Sequence, residues 1–139
     1  MSRIINIKNL GRINYLKAWE LQEQYFNHLR NLKKFNSHKD YSIQIPNYIL
    51  ICEHEPVYTI GRGAKLKNHE INRSLFEKIK IPYYEVNRGG SVTFHGPGQL
   101  VVYFILDLEQ YGSDIHYERL MAIYETARAS AMAKADERQ

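Results

Sequence analysis

The sequence predicts an α/β domain in which helices lie against β-strands. Three patterns predict it: helical spacing of apolar residues at 14–34, short apolar runs at 48–52 and 100–108 that suit buried strands, and a second stretch of helical spacing after Gly112. The chain has 139 residues, of which 44% are apolar, and this length is enough for one core. A single domain is therefore expected.

The first predicted helix covers 14–34, where Asn14 can cap the free amides of the first turn. Gly11 is expected to end the isoleucine-rich strand candidate that precedes the helix. The side chains expected to be buried against the sheet are Trp19, Tyr25 or Phe26, and Leu29. The next segment, 36–47, loses the helical period and gains turn-forming residues, so it predicts a loop.

Four short elements are predicted in the middle of the chain. Residues 48–52 form a nearly all-apolar run, which indicates a strand buried on both faces. Residues 57–60 are predicted to be extended, 71–79 to form a short helix, and 83–86 to return as a strand.

The stretch 88–108 predicts two strands joined by a tight turn. Val92 and Phe94 alternate with hydroxyls and an imidazole, so one face of the first strand is expected to meet a core and the other a pocket. Residues 96–98, Gly-Pro-Gly, predict a turn, because proline presets one corner and glycine accepts a positive φ at the next. Residues 100–108 are expected to return as the second, buried strand of an antiparallel hairpin.

A second long helix is predicted after Gly112, with Ser113 or Asp114 as its cap. The residues that keep helical spacing there are Ile115, Leu120, Ile123, Tyr124 and Ala127. From Ala127 onward the chain is rich in alanine and has almost no large apolar side chain. We expect a domain at 1–126 and a solvated, helical tail at 127–139.

Composition and charge exclude several classes of function. The formal net charge of +4 would attract acidic partners, but the cationic residues are spread along the chain, so nucleic acid is not an expected partner. No apolar run approaches the roughly 20 residues of a membrane span, and the first residues lack a signal or transit pattern. We expect a cytoplasmic protein with no membrane partner. Cys52 is the single cysteine and His54 lacks the spacing of a metal site, so neither a disulfide nor a metal is expected.

The most informative candidate for a binding site is the pair Gly89 and Gly90. A missing Cβ lets the backbone come close to a ligand, and Arg88 and His95 would frame that ligand. The alternatives are a bulge or tight bend at the glycines and a purely structural histidine. Because a rigid Gly-Pro-Gly turn follows His95 and fixes where the imidazole points, the binding interpretation is favoured.

Two segments carry a resemblance to a known family. EHEPVYTIGRGA at 53–64 and RGGSVTFHGPGQLVVYFILDL at 88–108 resemble the signature blocks of the octanoyl-[acyl-carrier-protein]:protein octanoyltransferases, the lipoate biosynthesis B family. The resemblance runs from Ile4 to about Ala129. It implies a biotin/lipoate protein ligase-like fold, with a mixed or antiparallel sheet flanked by helices. ATP-dependent lipoate or biotin ligases carry different glycine blocks and are the less favoured alternative.

The resemblance implies a two-step acyl transfer that needs no cofactor. An octanoyl group would pass from the phosphopantetheine arm of acyl carrier protein to an enzyme cysteine. It would then pass to a lysine on the lipoyl domains of 2-oxoacid dehydrogenases or on the glycine cleavage H protein. The substrate-binding block implied by the resemblance consists of Arg88, Gly89, Gly90, Ser91, Val92, Thr93, Phe94 and His95.

The resemblance also implies catalytic groups that this sequence does not contain. The family's lysine and its cysteine, which follows an Asn-Pro pair, lie in later segments, and Lys134 lacks the flanking residues of that lysine. Cys52 lies inside a predicted buried strand and is expected to be inert, so no catalytic residue is assigned. We expect a truncated chain that is inactive alone and exposes an apolar patch. The alternative function is a non-catalytic protein that binds an acyl chain.

Overall fold

Within the residues that the structure describes, the strands form two mixed sheets of three strands each. The structure is a computed structural model, and it describes residues 2–38, 42–66, 73–112 and 115–136. The strands are β1 (Ile5–Ile13), β2 (Asn47–His54), β3 (Val57–Ile60), β4 (Tyr83–Glu85), β5 (Val92–His95) and β6 (Val101–Ile105). The helices are α1 (Tyr15–Asn36), α2 (Arg62–Leu66), α3 (Arg73–Ile79) and α4 (Tyr117–Asp136), and a short 3₁₀-helix covers Leu108–Tyr111.

The first sheet, in the order β1-β2-β6, holds the main core. Strands β1 and β2 are parallel and α1 connects them, as a parallel pair requires a long crossover, whereas β6 runs antiparallel to β2. Successive side chains of β2 point to opposite faces: Leu50 packs with Leu29 of α1, and Ile49 packs with Tyr124 of α4. The prediction that β2 is buried on both faces is confirmed.

The second sheet, in the order β4-β3-β5, is smaller. Strand β3 runs parallel to β4 and antiparallel to β5. Ile60 of β3, Ala64 of α2 and Phe76 of α3 form its core. Helix α2 was not predicted from the sequence. A helix was predicted at 71–79, and the described part of that range, 73–79, is helical. With helices against both sheets, the predicted α/β class is confirmed.

Helix α1 confirms the predicted helix and its cap, since the Asn14 side chain accepts hydrogen bonds from the amides of Leu16 and Lys17. Leu29 is 5% exposed, as predicted, and Tyr25 packs against the same core. The predicted burial of Trp19 is wrong, because its side chain is 36% exposed. Its ring meets Tyr15 edge to face at 6.0 Å and lines an open cavity instead of the core.

Gly11 does not end the first strand, as the sequence suggested. Strand β1 continues through it to Ile13, with a shift of register between Asn9 and Gly11. Gly11 has a φ of 62°, and its amide donates to the Asn9 side chain. It therefore forms a β-bulge, where the positive φ favours glycine.

The hairpin predicted at 88–108 is wrong, although both of its strands exist. Strand β5 pairs with β3 in the second sheet, and β6 pairs with β2 in the first. Segment 92–105 thus runs antiparallel to segment 47–60 as one bent ribbon. Pro97 and Pro56 lie at the same level in the two halves, and neither has an amide to donate to the ladder. The ladder breaks there, so the turn residues bend the ribbon from one sheet to the other and do not reverse it.

The predicted faces of β5 also need correction. Val92 and Phe94 were expected in the core, but they remain 41% and 43% exposed. They lie on the same face as Tyr58, whose ring contacts that of Phe94 at 5.2 Å. Because β5 is an edge strand of the second sheet, the small core covers this face only in part.

Helix α4 packs on the first sheet through Tyr124 and Ala127, which are both buried. The predicted caps, Ser113 and Asp114, lie outside the described residues. The expected domain boundary at residue 126 falls inside this helix and stays a prediction. Among the described residues, no helix has both the length and the apolar character that crossing a membrane would need.

Candidate functional site

A cavity of about 440 Å³ lies between α1 and the last strand of the first sheet. One wall comes from one face of α1, because residues three and four apart share a face of a helix. The lining residues are Tyr15, Trp19, Gln22, Glu23, Phe26, Val86, Asn87, Arg88, Tyr103 and Ile105. The lining is aromatic and aliphatic, with a few polar groups, as is usual for sites that bind small organic ligands.

The α1 wall was missed as a site in the sequence. Its aromatic residues Trp19 and Phe26 have helical spacing, which indicated core packing. One signal could have revealed it: Gln22 and Glu23 lie between them along the chain and line the same cavity. A fully buried stripe rarely includes such polar groups unless they are paired.

Arg88 is the member of the predicted binding block that lines the cavity, while the other seven members, all described, lie outside its lining. Its guanidinium donates hydrogen bonds to four acceptor oxygens in its own neighbourhood. It donates to the carbonyl of Thr59 at 2.9 Å, to the hydroxyl of Thr59 at 2.8 Å, to the Gly89 carbonyl at 2.8 Å and to the Ser91 carbonyl at 3.1 Å. The side chain therefore holds its own loop, 88–91, against β3.

The same loop is held from the other side by the start of α2. The amides of Gly61, Arg62 and Gly63 donate to the carbonyls of Ser91, Arg88 and Gly90, at 2.8, 3.0 and 2.8 Å. A Cβ at Gly61 would lie 2.5 Å from the Gly90 carbonyl oxygen, and one at Gly63 would lie 2.7 Å from it. The glycines of the GRG motif thus permit this close approach.

The predicted pair Gly89 and Gly90 has two different roles in the backbone. Gly90 has a φ of 79°, a left-handed conformation that favours glycine. Gly89 has no positive φ, and a Cβ there would meet no other atom within 4 Å. The sequence predicted that a ligand would approach these glycines. In the structure, the backbone at Gly61 and Gly63 comes close to one of them, Gly90.

His54 joins the cavity to the buried centre of the first sheet. Its Nδ1 lies 3.1 Å from the Ile13 carbonyl, its Nε2 lies 2.7 Å from the Tyr103 hydroxyl, and Cys52 Sγ lies 3.7 Å from the same Nε2. A carbonyl can only accept, so Nδ1 carries the proton and Nε2 accepts from Tyr103. The arrangement suits a neutral imidazole.

Burial sets the protonation states in this group. It lowers the pKa of His54 below its usual range, and the neighbouring His95 adds to this, while the bond to the Ile13 carbonyl opposes it. Burial also raises the pKa of the Cys52 thiol and of the Tyr103 phenol. All three side chains are therefore uncharged near neutral pH, and Tyr103, the member of the group that lines the cavity, brings no charge to it.

His95, the last member of the predicted block, lies near this group but not in it. Its ring centroid is 6.2 Å from that of His54, and its Nδ1 contacts the Gln99 side chain. Tyr15 stands between the cavity and His54, with ring centroids 5.3 Å apart, and stacks on Tyr84 at 5.5 Å. Among the described residues, no three metal-ligating side chains come together.

The chain is similar to known proteins of one family. The family model described as lipoyl protein ligase A/B catalytic domain matches residues 14–136. An octanoyltransferase of Flavobacterium psychrophilum is 41% identical over 122 residues, which are 87% of this chain and 53% of that protein. The mitochondrial octanoyl-[acyl-carrier-protein]:protein N-octanoyltransferase LIPT2 of Danio rerio is 42% identical over 110 residues, which are 78% of this chain and 44% of that protein.

The chain spans about half the length of these relatives. Among solved structures, P. falciparum LipL1 in complex with lipoate is 14% identical, with a TM-score of 0.40. That match covers 74% of this chain and 30% of the other.

Proposed function

We propose that this chain, which belongs to the lipoyl protein ligase A/B catalytic domain family, takes part in protein lipoylation as an octanoyltransferase. In this reaction an octanoyl group carried by acyl carrier protein is transferred to a lysine of a lipoyl domain. The activities for which the relatives are named, which include that of an octanoyl-[acyl-carrier-protein]:protein N-octanoyltransferase, support the proposal.

The observation that carries the proposal is the cavity between α1 and β6. Its volume of about 440 Å³ falls in the usual range for ligand sites, and Trp19, Phe26 and Ile105 give it apolar walls. An alkyl chain gains roughly 0.8 kcal/mol for each methylene that leaves water, and the Tyr103 phenol in the cavity lining is neutral, so contact with it removes no charge from water. The cavity therefore suits the octanoyl chain.

The loop 88–91 gives the site its polar end. Arg88 lines the cavity and fixes this loop through Thr59, so the thioester end of the acyl group is best placed beside the loop and the methyl end along α1. Thioester exchange also needs a thiolate. Cys52 does not supply one, because it is 2% exposed and burial raises its pKa.

A second candidate function is the binding of an acyl group without its transfer. The buried state of Cys52, the single cysteine of the sequence, favours it. Both candidate functions place the acyl group in the same cavity, but only the first transfers it to a lipoyl domain.

Two measurements test the proposal. Trp19 is the single tryptophan and lines the cavity, so its fluorescence should change in a saturable way when octanoyl-pantetheine is added. The chain should next be mixed with octanoyl-acyl carrier protein and an unmodified lipoyl domain, and the mass of the lipoyl domain followed. A gain of one octanoyl group supports transfer, and saturable binding without that gain supports the second candidate. If octanoyl-pantetheine does not bind, both are wrong.

A further inference from the structure

A second cavity, of about 420 Å³, continues the first one along α1. Its lining residues are Phe26, Leu29, Arg30, Lys33, Leu106, Asp107, Leu108 and Glu109. Phe26 lines both cavities. On the opposite wall the consecutive residues Ile105 and Leu106 line the first and the second cavity respectively, so the two are neighbours in one trough.

The order of the lining residues along α1 gives the trough a direction. The first cavity extends from Tyr15 to Phe26, and at about 1.5 Å per residue this is roughly 16 Å of helix. The second extends from Phe26 to Lys33, which is roughly 10 Å more. Arg88 and its loop lie at the Tyr15 end, since Tyr15 stacks on Tyr84 of β4, and Tyr84 pairs with Thr59, the residue to which Arg88 donates. The ring of Phe26 therefore stands between the end near the loop and the far end.

The far end of the trough is closed by charges. Lys33 Nζ lies 2.6 Å from Asp107 Oδ1 and 2.9 Å from Glu109 Oε1. Asp107 is itself buried, and Asn47 anchors its backbone amide at 2.8 Å. Burial of an apolar chain in the trough is therefore favourable only as far as this ion-pair cluster.

We infer that Phe26 determines the acyl-chain length that the site accepts. The inference deepens the proposed function and rests on it. With the thioester beside loop 88–91 and the methyl end directed along α1, the last carbons of a medium-length chain meet the Phe26 ring. A longer chain has to displace that ring to reach Leu29 and Leu106. Removing the ring joins the two cavities into one.

Phe26 can be changed without a large cost to the fold. Its side chain is 53% exposed, and the buried residues of α1 are Ala18 and Leu29. Leu16, on the same helix and 44% exposed, lines neither cavity and provides a matched control.

The experiment measures the affinity of the 139-residue chain for S-acyl-pantetheines from hexanoyl to tetradecanoyl, through Trp19 fluorescence and calorimetry. For the wild type, we expect affinity to rise with chain length until the methyl end reaches the Phe26 ring, and then to level off. For Phe26→Ala, each further methylene that is buried should raise the affinity about fourfold. Phe26→Leu should give an intermediate profile, and Leu16→Ala should keep that of the wild type.

The outcomes separate this inference from the proposed function. If the wild type binds octanoyl-pantetheine but Phe26→Ala and Phe26→Leu keep the same dependence on chain length, the role of Phe26 is wrong and the site stands. If the wild type binds no acyl-pantetheine, the acyl site fails, and the role of Phe26 fails with it. Should Phe26→Ala be unfolded by circular dichroism, the Phe26→Leu profile decides alone.

Discussion

The guanidinium of Arg88 donates hydrogen bonds to both oxygens of Thr59, to the hydroxyl at 2.8 Å and to the carbonyl at 2.9 Å. Thr59 is 1% exposed, so this contact lies inside the protein. Because most of its N–H donors already bind protein oxygens, Arg88 has few donors left to bind a substrate. Its contribution to the proposed acyl site is to fix the position of the loop that carries it.

The first prediction tests this role with Thr59→Val, which keeps the shape of the side chain and removes the hydroxyl acceptor. A hydrogen bond to a charged group contributes about 1.5–3 kcal/mol, so we expect the loop to loosen and octanoyl affinity to fall about tenfold. The amides of Gly61 and Gly63, which donate to the loop, should exchange faster with deuterated solvent.

Two further variants make that experiment specific. Thr93 lies opposite Thr59 in the ladder and makes no hydrogen bond to Arg88, so Thr93→Val serves as the control. Arg88→Lys should resemble Thr59→Val, and the double variant should lose less than the sum of the two. Additive losses, or exchange rates equal to those of the wild type, would mean that Arg88 acts on the ligand directly.

The second prediction concerns Gly63→Ala. The added Cβ would lie 2.7 Å from the carbonyl oxygen of Gly90, and because the obstacle is backbone the loop must move. We expect unfolding free energy to fall by about 1–3 kcal/mol in urea titrations, together with a loss of octanoyl binding. Gly89→Ala is the matched control, since its Cβ meets nothing within 4 Å, and its change should stay within about 0.5 kcal/mol. Equal effects of the two variants would contradict the close packing of α2 on the loop.

The third prediction is a pH dependence of stability. The pKa of His54 is lower in the folded state than its ordinary value of 6.5. As the pH falls through 6.5, the unfolded chain therefore takes up a proton that the folded chain refuses, and the free energy of unfolding decreases. Above that pH, the contribution of the neutral His54 is complete.

His54→Asn isolates that contribution, because its amide can still donate to the Ile13 carbonyl. Urea midpoints measured at about pH 7.5 and about pH 5.5 should differ more for the wild type than for the variant. The remaining histidines and carboxylates are common to both proteins. The same decrease in both would show that His54 titrates normally in the folded state.

The fourth prediction is that octanoyl-acyl carrier protein does not acylate Cys52. Burial raises the pKa of this thiol, and the attacking species is the thiolate. Intact-mass spectrometry of the wild type, with Cys52→Ser as the control, should show no added octanoyl group near neutral pH. An adduct on the wild type that is absent from Cys52→Ser and removed by hydroxylamine would mean that the chain carries its own nucleophile.

Local patterns predicted much of the fold. The period of apolar residues gave α1, and the Asn14 side chain caps it as expected. The apolar run of β2 gave a strand buried on both faces. These features depend on residues that are close together in the sequence, and the spacing of the apolar residues indicates which faces are buried.

The pairing of β5 and β6 could not be predicted in the same way. The Gly-Pro-Gly motif shows that the backbone bends at Pro97, but the direction of the bend depends on β2 and β3, which lie more than 30 residues earlier. Gly11 shows a similar ambiguity within a strand. A β-bulge and the end of a strand have similar local sequences, so the glycine alone does not distinguish them.

The candidate site was predicted in part for a related reason. The loop at Arg88 was found because two adjacent glycines, Gly89 and Gly90, permit unusual backbone angles and a close approach. Its partners Gly61 and Gly63 lay in a segment that the resemblance had already marked, but their contact with Gly90 is a tertiary one. The α1 wall escaped because an aromatic residue beside a cavity and one in a core have the same spacing, as with Trp19.

The paired prolines of the bent ribbon have a consequence for how the molecule opens. With no amide at Pro56 or Pro97 to continue the ladder, the two sheets are joined there by few backbone hydrogen bonds. The first sheet carries the larger core, so we expect the second sheet, with α2 and α3, to unfold transiently by itself while the first stays intact. Proteases should then cut within β4 or β5 before they cut β2. In such a partly open state, the proposed acyl cavity would keep its α1 wall and lose the loop beside which we propose to place the thioester end.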